Sequence, residues 1–319
     1  MSKIKEIHDV LERLSHWEKP LRFHTPVEKT SDIKAYLDYY GFTLEDIDLH
    51  FGKVDIDGIK IIVQIFSPKE SIGTVFLLHG YLDHVGSLQN MIHYLTKHNY
   101  SVISYDLQGH GLSGGKSASV DDFSNYVLTL EKLMQRARDE MSDPFYVIGH
   151  STGGAIAINY VLKHRDHHFR KLVLLAPLIR SNYWYWTKLG YYLAKPFPFI
   201  DDIARKFRKN SSDQKYLAFT KKDPLQPKVL PLNWVGALLN WNEEIHTYNP
   251  TNTDTCIIQG NKDKTVDWKY NLAFVKKKFR SLQIFHISNG RHALFNEKEQ
   301  IQEEVFASIH QFLKEGESH

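Results

Sequence analysis

The feature that most restricts the fold of this chain is an alternation of short apolar runs with stretches of helical periodicity. Four apolar runs of strand length occupy residues 73–80, 100–107, 144–151 and 171–177. The helical stretches between them occupy residues 90–99, about 120–141 and 152–164. Buried strands that alternate with helices form βαβ units. The sequence therefore predicts an α/β fold, with a mainly parallel, twisted sheet flanked by helices.

The pattern extends beyond these runs in both directions. Residues 51–68 predict two strands joined at Asp57-Gly58, a dipeptide typical of a hairpin turn. The alternation resumes later with a strand at 254–260, a helix at 268–279, a strand at 281–288 and a C-terminal helix from about Asn296. The first fifty residues are polar, with one amphipathic helical stretch. We expect them to pack on the domain without taking part in the chemistry.

Residues 179–250 do not follow the alternation, and they are rich in aromatic residues, prolines and lysines. An insertion that follows a strand lies at the carboxyl edge of a parallel sheet, where α/β proteins bind ligands. The sequence therefore predicts a helical cap over a site. The predicted parts are an N-terminal extension at 1–50, an α/β core at 51–178 and 251–319, and the cap at 179–250.

Charge and composition argue against several classes of function. The 40 Lys and Arg against 37 Asp and Glu leave a net charge of +3, so nucleic acid is not an expected partner. Basic clusters at 204–209 and 275–280 are most simply interpreted as solvated helix faces, with an anion-binding patch as the alternative. The single cysteine, Cys256, excludes an intrachain disulfide and a cysteine-based metal cluster.

Location is predicted from the same composition. No apolar run approaches the ~20 residues that span a bilayer, and the first 20 residues lack the apolar segment of a secretory signal. A lone cysteine fits a reducing compartment, so we expect a cytoplasmic protein without a transmembrane segment.

The stretch "VIGHSTGGA" at 147–155 predicts a catalytic serine. Gly149-His150-Ser151-Thr152-Gly153 has the form G-x-S-x-G and lies between a predicted strand and a predicted helix, the context of a nucleophile elbow. A side chain at either glycine would clash in so sharp a turn. The helix that begins at Thr152 directs free N–H groups toward Ser151. A plain glycine turn is the alternative that this motif alone leaves open.

Five stretches in a fixed order strengthen the prediction. Together they resemble the α/β-hydrolase superfamily and, more narrowly, the group of monoacylglycerol lipases and bacterial lysophospholipases of the serine aminopeptidase S33 type. They are "VFLLHGYLDH" (75–84), "SYDLQGHGLSGG" (104–115), "VIGHSTGGAIA" (147–157), "IIQGNKDKTVD" (257–267) and "SNGRHALFNE" (288–297). The resemblance covers about residues 51–314. It implies an α/β-hydrolase fold and a serine hydrolase, and no cofactor or metal is expected.

A catalytic serine needs a histidine base and a carboxylate that orients it, in the chain order serine, acid, histidine. The resemblance places the base at His292, which follows the last predicted strand. His286 lies inside that strand and His310 on the terminal helix, so neither is as well placed.

The acid is chosen between two aspartates. The resemblance places it at Asp263, the aspartate of Gly260-Asn261-Lys262-Asp263, just after a predicted strand. Asp267 is the alternative, although it is better placed to cap the helix that follows.

An oxyanion formed at the site needs backbone N–H donors. The resemblance assigns these to Thr152, which follows the nucleophile, and to Tyr81, in the loop after "FLLHG". Many relatives have a small residue at the position of Tyr81, which suggests that its side chain shapes the substrate pocket.

Four further polar residues lie in the resembling motifs: His79, Asp106, His110 and His150. Asp106 and His110 invite a metal interpretation, but a zinc site would need a third and a fourth ligand. We expect all four to bond the backbone of neighbouring loops.

The aromatic run at 183–199 bears on the substrate. Part of it must form the core of the cap, and the rest would line an apolar cavity or face a lipid surface. Trp184 and Trp186 are the candidates for the pocket. With the resemblance, this predicts a lipid-like ester substrate, of the monoacylglycerol or lysophospholipid type, and peripheral membrane contact through the cap. The alternatives are a peptidase or amidase on the same fold and a binding protein without catalysis.

Overall fold

The protein is described by a computed structural model that covers residues 2–197, 199 and 201–316. Within these residues the strands are β1 (Ile47–Ile56), β2 (Ile59–Pro68), β3 (Gly73–Leu78), β4 (Tyr100–Tyr105), β5 (Phe145–His150), β6 (Phe169–Leu175), β7 (Asp202–Ala204), β8 (Val229–Pro231), β9 (Asp254–Gly260) and β10 (Leu282–Ile287). The helices are α1 (Ser2–Ser15), α2 (Ser31–Tyr40), α3 (Gln89–Lys97), α4 (Ser124–Glu140), α5 (Thr152–Lys163), α6 (Trp184–Ala194), α7 (Gln214–Lys222), α8 (Leu232–Ile245), α9 (Trp268–Lys278) and α10 (Glu299–Lys314). Short 3-10 turns span Val85–Leu88 and Leu294–Asn296.

The main sheet confirms the predicted α/β class. Its strand order is β1-β2-β4-β3-β5-β6-β9-β10. β2 is antiparallel to both of its neighbours, β1 and β4. The remaining pairs of neighbours are parallel, so β4, β3, β5, β6, β9 and β10 all run in the same direction. The predicted hairpin joins β1 and β2 through Asp57 and Gly58, whose φ angles of 50° and 81° suit a two-residue turn with both residues left-handed.

Helices cover both faces of this sheet. One apolar cluster is formed by the sheet with α4, α5, α8 and α9, and the other by the sheet with α1, α2, α3 and α10. The parallel strands β4, β3, β5, β6 and β9 are buried along nearly their whole length, whereas the edge strand β10 is only partly buried. Such double coverage explains why they appear in the sequence as continuous apolar runs.

Helices α1 and α2 of the N-terminal region pack on the first two strands. Side chains of α1 and α2 join a cluster with Phe51, Ile62 and Phe66. Gln64 on β2 also donates a hydrogen bond to the Tyr36 hydroxyl at 3.0 Å. The second helix of this extension, α2, was not predicted from the sequence.

Residues 179–250 leave the sheet after β6 and return to it before β9. We call them the insert. It contains α6, α7 and α8, together with β7 and β8, which form a separate antiparallel pair. The insert is therefore not wholly helical. The basic cluster at 204–209 follows β7 without helical structure, so its interpretation as a helix face is wrong, whereas the cluster at 275–280 begins on α9 as expected.

A buried hydrogen-bonded group joins three distant parts of the chain. Tyr40 of α2 donates to Asp223 Oδ1 at 2.8 Å, and His84 Nε2 donates to Asp223 Oδ2 at 2.7 Å. The Gly86 N–H donates to His84 Nδ1 at 3.1 Å, so the ring hydrogen lies on Nε2. The extension, the loop after β3 and the insert thus meet at a single carboxylate, which we call the Asp223 junction.

Candidate active site

Ser151 lies in the sharp turn that the sequence predicted between β5 and α5. Its φ of 52° and ψ of −111° are a strained conformation for a residue with a side chain. A Cβ at Gly149 would lie 2.5 Å from the carbonyl oxygen of Gly153, and one at Gly153 would lie 2.4 Å from that of Leu78. Both glycines are therefore required by close backbone approach, and the turn lifts the serine to the carboxyl edge of the sheet.

The structure brings the three predicted residues of the triad together. His292 Nε2 lies 3.0 Å from Ser151 Oγ, and His292 Nδ1 lies 2.8 Å from Asp263 Oδ2. Each of the three is only 6% exposed. If Nδ1 donates to the carboxylate, Nε2 is free to accept the serine proton, which is the arrangement that activates a serine.

The carboxylate of Asp263 is held in its ionised form. Burial by itself would raise the pKa of Asp263, but the neighbouring His292 and several hydrogen bonds outweigh it and keep the pKa below the ordinary value. The donors include the N–H of Thr265 at 2.7 Å and Gln259 Nε2 at 3.2 Å. Asp267, the alternative acid, caps α9 by accepting from the Tyr270 N–H at 3.3 Å.

The loops that carry the acid and the base touch through glycine. A Cβ at Gly260, the last residue of β9, would lie 2.3 Å from the carbonyl oxygen of Gly290. The Lys262 N–H donates to that same carbonyl at 2.9 Å. Gly260 thus allows Asp263 and His292 to come within hydrogen-bond distance.

Two backbone N–H groups are available near Ser151. Thr152 is the first residue of α5, so its N–H has no intrahelical acceptor. The Tyr81 N–H has no hydrogen-bond acceptor among the residues that the structure describes. The loop before Tyr81 lies against the nucleophile, since a Cβ at Gly80 would be 3.2 Å from Ser151 Cβ. This placement suits the two oxyanion donors inferred from the sequence.

A cavity of about 510 Å³ opens beside Ser151. The core contributes Gly80, Tyr81, Thr152 and His292, and the insert contributes Trp234, Val235, Leu238 and residues 205–210. The Tyr81 ring stacks on Trp234 with centroids 3.5 Å apart, and its hydroxyl donates to the Ala118 carbonyl at 2.7 Å. The cavity is therefore walled on one side by the sheet edge and on the other by the insert.

The structure does not place Trp184 or Trp186 in this cavity. Trp184 is buried in the apolar cluster that α8 shares with the sheet, and Trp186 is 70% exposed. Three other aromatic residues of the insert line the cavity: Phe207, Tyr216 and Trp234. Sequence reasoning missed them because all three lie outside the aromatic run at 183–199, and for Trp234 the apolar spacing of α8 was the only signal.

The four polar loop residues bond to backbone, as expected. His79 Nδ1 donates to the Gly80 carbonyl at 2.8 Å, and Asp106 accepts from the N–H groups of Val85 and Leu112. His110 Nδ1 donates to the Gln108 carbonyl at 2.9 Å. Within the described part of the chain no group of three or more His, Cys, Asp or Glu side chains is arranged to hold a metal ion.

His150 supports the base directly. Its Nε2 contacts the carbonyl oxygen of His292 at 2.9 Å. Burial, together with the neighbouring His292, lowers the pKa of His150 to about 3, so the ring is neutral and donates from Nε2. The residue that precedes the nucleophile therefore fixes the backbone that carries the base.

Comparison with known proteins agrees with this geometry. A family model described as "Serine aminopeptidase, S33" matches residues 69–299. The mouse monoglyceride lipase is 30% identical over 131 residues, which are 40% of this chain and 43% of that protein. The human monoglyceride lipase is 25% identical over 276 residues, or 82% of this chain and 89% of that protein.

The structural comparison gives the same class of fold. A soluble variant of the Saccharomyces cerevisiae monoglyceride lipase, solved with a substrate analogue, superposes with a TM-score of 0.75 at 21% identity, covering 86% of this chain and 97% of that one. At this identity the likeness concerns the fold alone. The chain spans less than half the length of several curated relatives that it matches, including the mouse lipase at 43%.

Proposed function

The chain belongs to the serine aminopeptidase S33 family of α/β-hydrolases, and we propose that it is a serine hydrolase of carboxylic esters with an apolar acyl chain, of the monoacylglycerol or lysophospholipid type. The hydrogen-bonded series Ser151–His292–Asp263, with distances of 3.0 and 2.8 Å, carries the proposal. The monoglyceride lipases among its relatives support the choice of ester.

The proposed reaction has two steps. His292 Nε2 takes the proton of Ser151 as Oγ attacks the ester carbonyl, and the N–H groups of Tyr81 and Thr152 stabilise the oxyanion. Collapse of this intermediate breaks the bond to the alcohol oxygen, which receives the proton from His292. Water, deprotonated by His292, then releases the acid from the acyl-enzyme. Asp263 stays ionised and stabilises the imidazolium in both steps.

The proposal assigns a different role to each part of the chain. Residues 51–178 and 251–319 would supply the catalytic core, residues 179–250 a cap that walls the cavity, and residues 1–50 an extension. Trp234 of the cap supports this division because it lines the same cavity as Ser151. The cavity suits one lipid-like ester, since ligand sites of ordinary size are ~300–1,000 Å³.

We also propose that the protein touches lipid surfaces through α6. Large apolar side chains of this helix and the residues beside it are exposed: Tyr183, Tyr185, Trp186, Leu189, Tyr192, Leu193, Phe197 and Phe199. Exposed aromatic clusters of this kind often mark interaction sites. No helix in the described part of the chain is long and apolar enough to cross a bilayer. A cytoplasmic location is part of the proposal and is supported by the lone, buried Cys256.

An aminopeptidase is the second candidate, because the family takes its description from one. A site for a substrate ammonium group would need carboxylates in the cavity. Of the described residues that line it, Asp83 is the only acidic one, against five cationic side chains. This charge favours the esterase.

A labelling and substrate experiment tests the proposal. Wild-type protein should react with a fluorophosphonate, and the label should be found on Ser151. It should hydrolyse p-nitrophenyl octanoate far faster than the matched p-nitroanilide or aminoacyl anilides. Absence of labelling on Ser151 would leave the binding-protein alternative, and faster cleavage of aminoacyl anilides would establish the aminopeptidase.

A further inference from the structure

The cavity beside Ser151 carries an unbalanced positive charge. Five cationic side chains line it, and all come from the insert: Arg205, Lys206, Arg208, Lys209 and Lys221. Among the lining residues that the structure describes, Asp83 is the one acidic residue. Burial raises the pKa of Asp83, so this carboxylate compensates less of the charge than an exposed one would.

Within the described ranges, these cations have no carboxylate at ion-pair distance. Arg13, Lys53, Lys60, Lys69 and Lys188 each have a carboxylate within 4.0 Å. Among the described residues, none of the five cavity cations does. Four of the five, all but Lys221, belong to the basic cluster at 204–209, which is not helical; Arg205 is half-buried there, and Lys206, Arg208 and Lys209 are exposed. Like charges gathered at a cavity repel one another. Asp83 and Asp223 interact electrostatically with Arg205 from beyond ion-pair distance and offset part of this repulsion, and a bound anion would relieve more of it.

Arg205 is the best-placed of the five. Its Nη1 donates to Gln226 Oε1 at 2.8 Å and to the Pro227 carbonyl at 3.1 Å, which fixes the guanidinium at the cavity wall. No hydrogen bond from its Nε or Nη2 reaches another described residue. The side chain is half-buried, so these N–H groups are partly removed from water. A half-buried guanidinium with free donors is suited to a phosphate or carboxylate.

We propose that this cavity binds esters whose alcohol part carries an anionic group, such as a phosphate, and selects them over neutral esters of the same acyl chain. The inference rests on the proposed esterase function, because the anion is the head group of the ester that Ser151 attacks. Arg205, with Lys206, Arg208 and Lys209 beside it, holds the head group, while Trp234, Val235 and Leu238 contact the apolar part. The substrates are thus of the lysophosphatidate or lysophosphatidylglycerol class rather than neutral monoacylglycerols.

The cations line the cavity of Ser151 itself, which favours a substrate head group over an anionic membrane as their ligand. The exposed aromatic side chains that we assign to lipid contact lie on α6 or are Tyr183, Phe197 and Phe199, and none of them lines the cavity. A membrane would meet α6 first, whereas a head group beside the scissile ester must lie next to Ser151.

The test uses two water-soluble esters that differ only in the phosphate: 1-octanoylglycerol and 1-octanoylglycerol 3-phosphate, each below its micelle concentration. Wild-type protein should show a kcat/KM at least about tenfold higher for the phosphate ester, as expected for one or two charge-assisted hydrogen bonds. This preference should weaken between low salt and 0.5 M NaCl, since partly exposed charges are screened.

Two variants remove charge from the cavity: Arg205→Gln and the triple variant Lys206→Gln/Arg208→Gln/Lys209→Gln. The control is the triple variant Lys276→Gln/Lys277→Gln/Arg280→Gln, whose residues are exposed at and just after the end of α9. The first two should bring the ratio of kcat/KM values close to one, mainly through the phosphate ester. The control removes three positive charges, as the cavity triple variant does, but far from the cavity, so it should keep the wild-type ratio of kcat/KM values.

Three results would overturn the inference: equal or lower kcat/KM for the phosphate ester, a wild-type ratio retained in both cavity variants, or a preference that appears only when anionic vesicles are added. Hydrolysis of p-nitrophenyl octanoate keeps the test separate from the proposed function. If wild-type protein hydrolyses that ester through Ser151 but shows no preference, the head-group inference alone is wrong. If it hydrolyses none of the three esters, the esterase proposal is wrong as well.

Discussion

The carboxyl edge of the sheet and the insert that faces it were both marked by strong patterns in the sequence, but they differ in how those patterns relate to the structure. At the sheet edge, Ser151, Asp263 and His292 are each 6% exposed and stand in hydrogen-bonded order. In the insert, the aromatic run that suggested a pocket is largely at the surface, with Tyr185 at 76% and Trp186 at 70% exposure. A motif defined by backbone geometry fixes where a side chain lies, whereas apolar composition does not say which surface a side chain faces.

The largest effect is expected from Ser151→Ala, at the sheet edge. Removing the hydroxyl should lower kcat for p-nitrophenyl octanoate by about 10⁴-fold or more, because the nucleophile and its base act as a unit. His292→Ala should lose a comparable factor, and the double variant should lose no more than either single one.

The measurement is kcat in purified protein, with thermal unfolding as the control for folding. Alanine removes only the hydroxyl at position 151, so the melting temperature should stay close to that of the wild type. Turnover near the wild-type value in a folded Ser151→Ala protein would show that another residue carries the reaction.

The choice between two aspartates sharpens the comparison within the sheet edge. Asp263→Asn should lower kcat by about 10²–10⁴-fold, because an amide does not stabilise the imidazolium. Asp267→Asn should leave kcat within a few-fold, since Asp267 only caps α9, and asparagine caps helices about as well as aspartate does. Parallel kcat measurements decide the matter, and a larger loss in Asp267→Asn would transfer the role of the acid to that residue.

Substituting one glycine in each region compares how strongly the sheet edge and the insert constrain the backbone. Gly260→Ala would place a Cβ 2.3 Å from the Gly290 carbonyl and should destabilise the protein by about 1–3 kcal/mol. Gly190→Ala on exposed α6 meets nothing within 4 Å and should stabilise it by about 0.5–1 kcal/mol, through helix propensity. Urea unfolding of both variants gives their free energies of unfolding. Equal changes in the two variants would mean that the sheet edge is no more constrained than the insert.

The smallest effect is expected from a pair of tryptophans in the insert. Trp234→Leu should lower the ratio of octanoyl to acetyl ester kcat/KM by about three- to tenfold, because part of an apolar wall is removed. Trp186→Leu should leave that ratio unchanged, since this side chain does not line the cavity. The ratio is internal to each protein, so a smaller folded fraction does not distort it. A change in Trp186→Leu without one in Trp234→Leu would reverse our assignment of the cavity wall.

Prediction from sequence succeeded where local constraints are strong. The hairpin at Asp57 and Gly58, the parallel strands and the turn at Ser151 all follow from residues whose backbone or burial allows few alternatives. The bounds of α5 differ by a single residue from those predicted, because glycines at its start and the strand before it delimit the helix.

Prediction failed where tertiary contacts decide the outcome. The basic residues at 204–209 have the composition of a solvated helix, yet β7 pairs with β8 and directs the following residues along the cavity. The contact between Tyr81 and Trp234 joins residues 153 positions apart, and the sequence around neither residue predicts it. The same holds for the Asp223 junction, whose members come from three separate segments.

The Asp223 junction also bears on whether the insert can be exchanged between relatives. The family match begins at residue 69, so an engineer who aligned relatives would treat the first 68 residues as dispensable and the insert as a module to transplant. Yet Tyr40 of the extension and His84 of the loop after β3 both bond to Asp223, within the insert. A chimera with a foreign insert must therefore supply an acceptor at that point, or bring its own extension, because otherwise two buried polar groups lose their partner. The part of the chain that must be inherited together is longer than the part that the family shares.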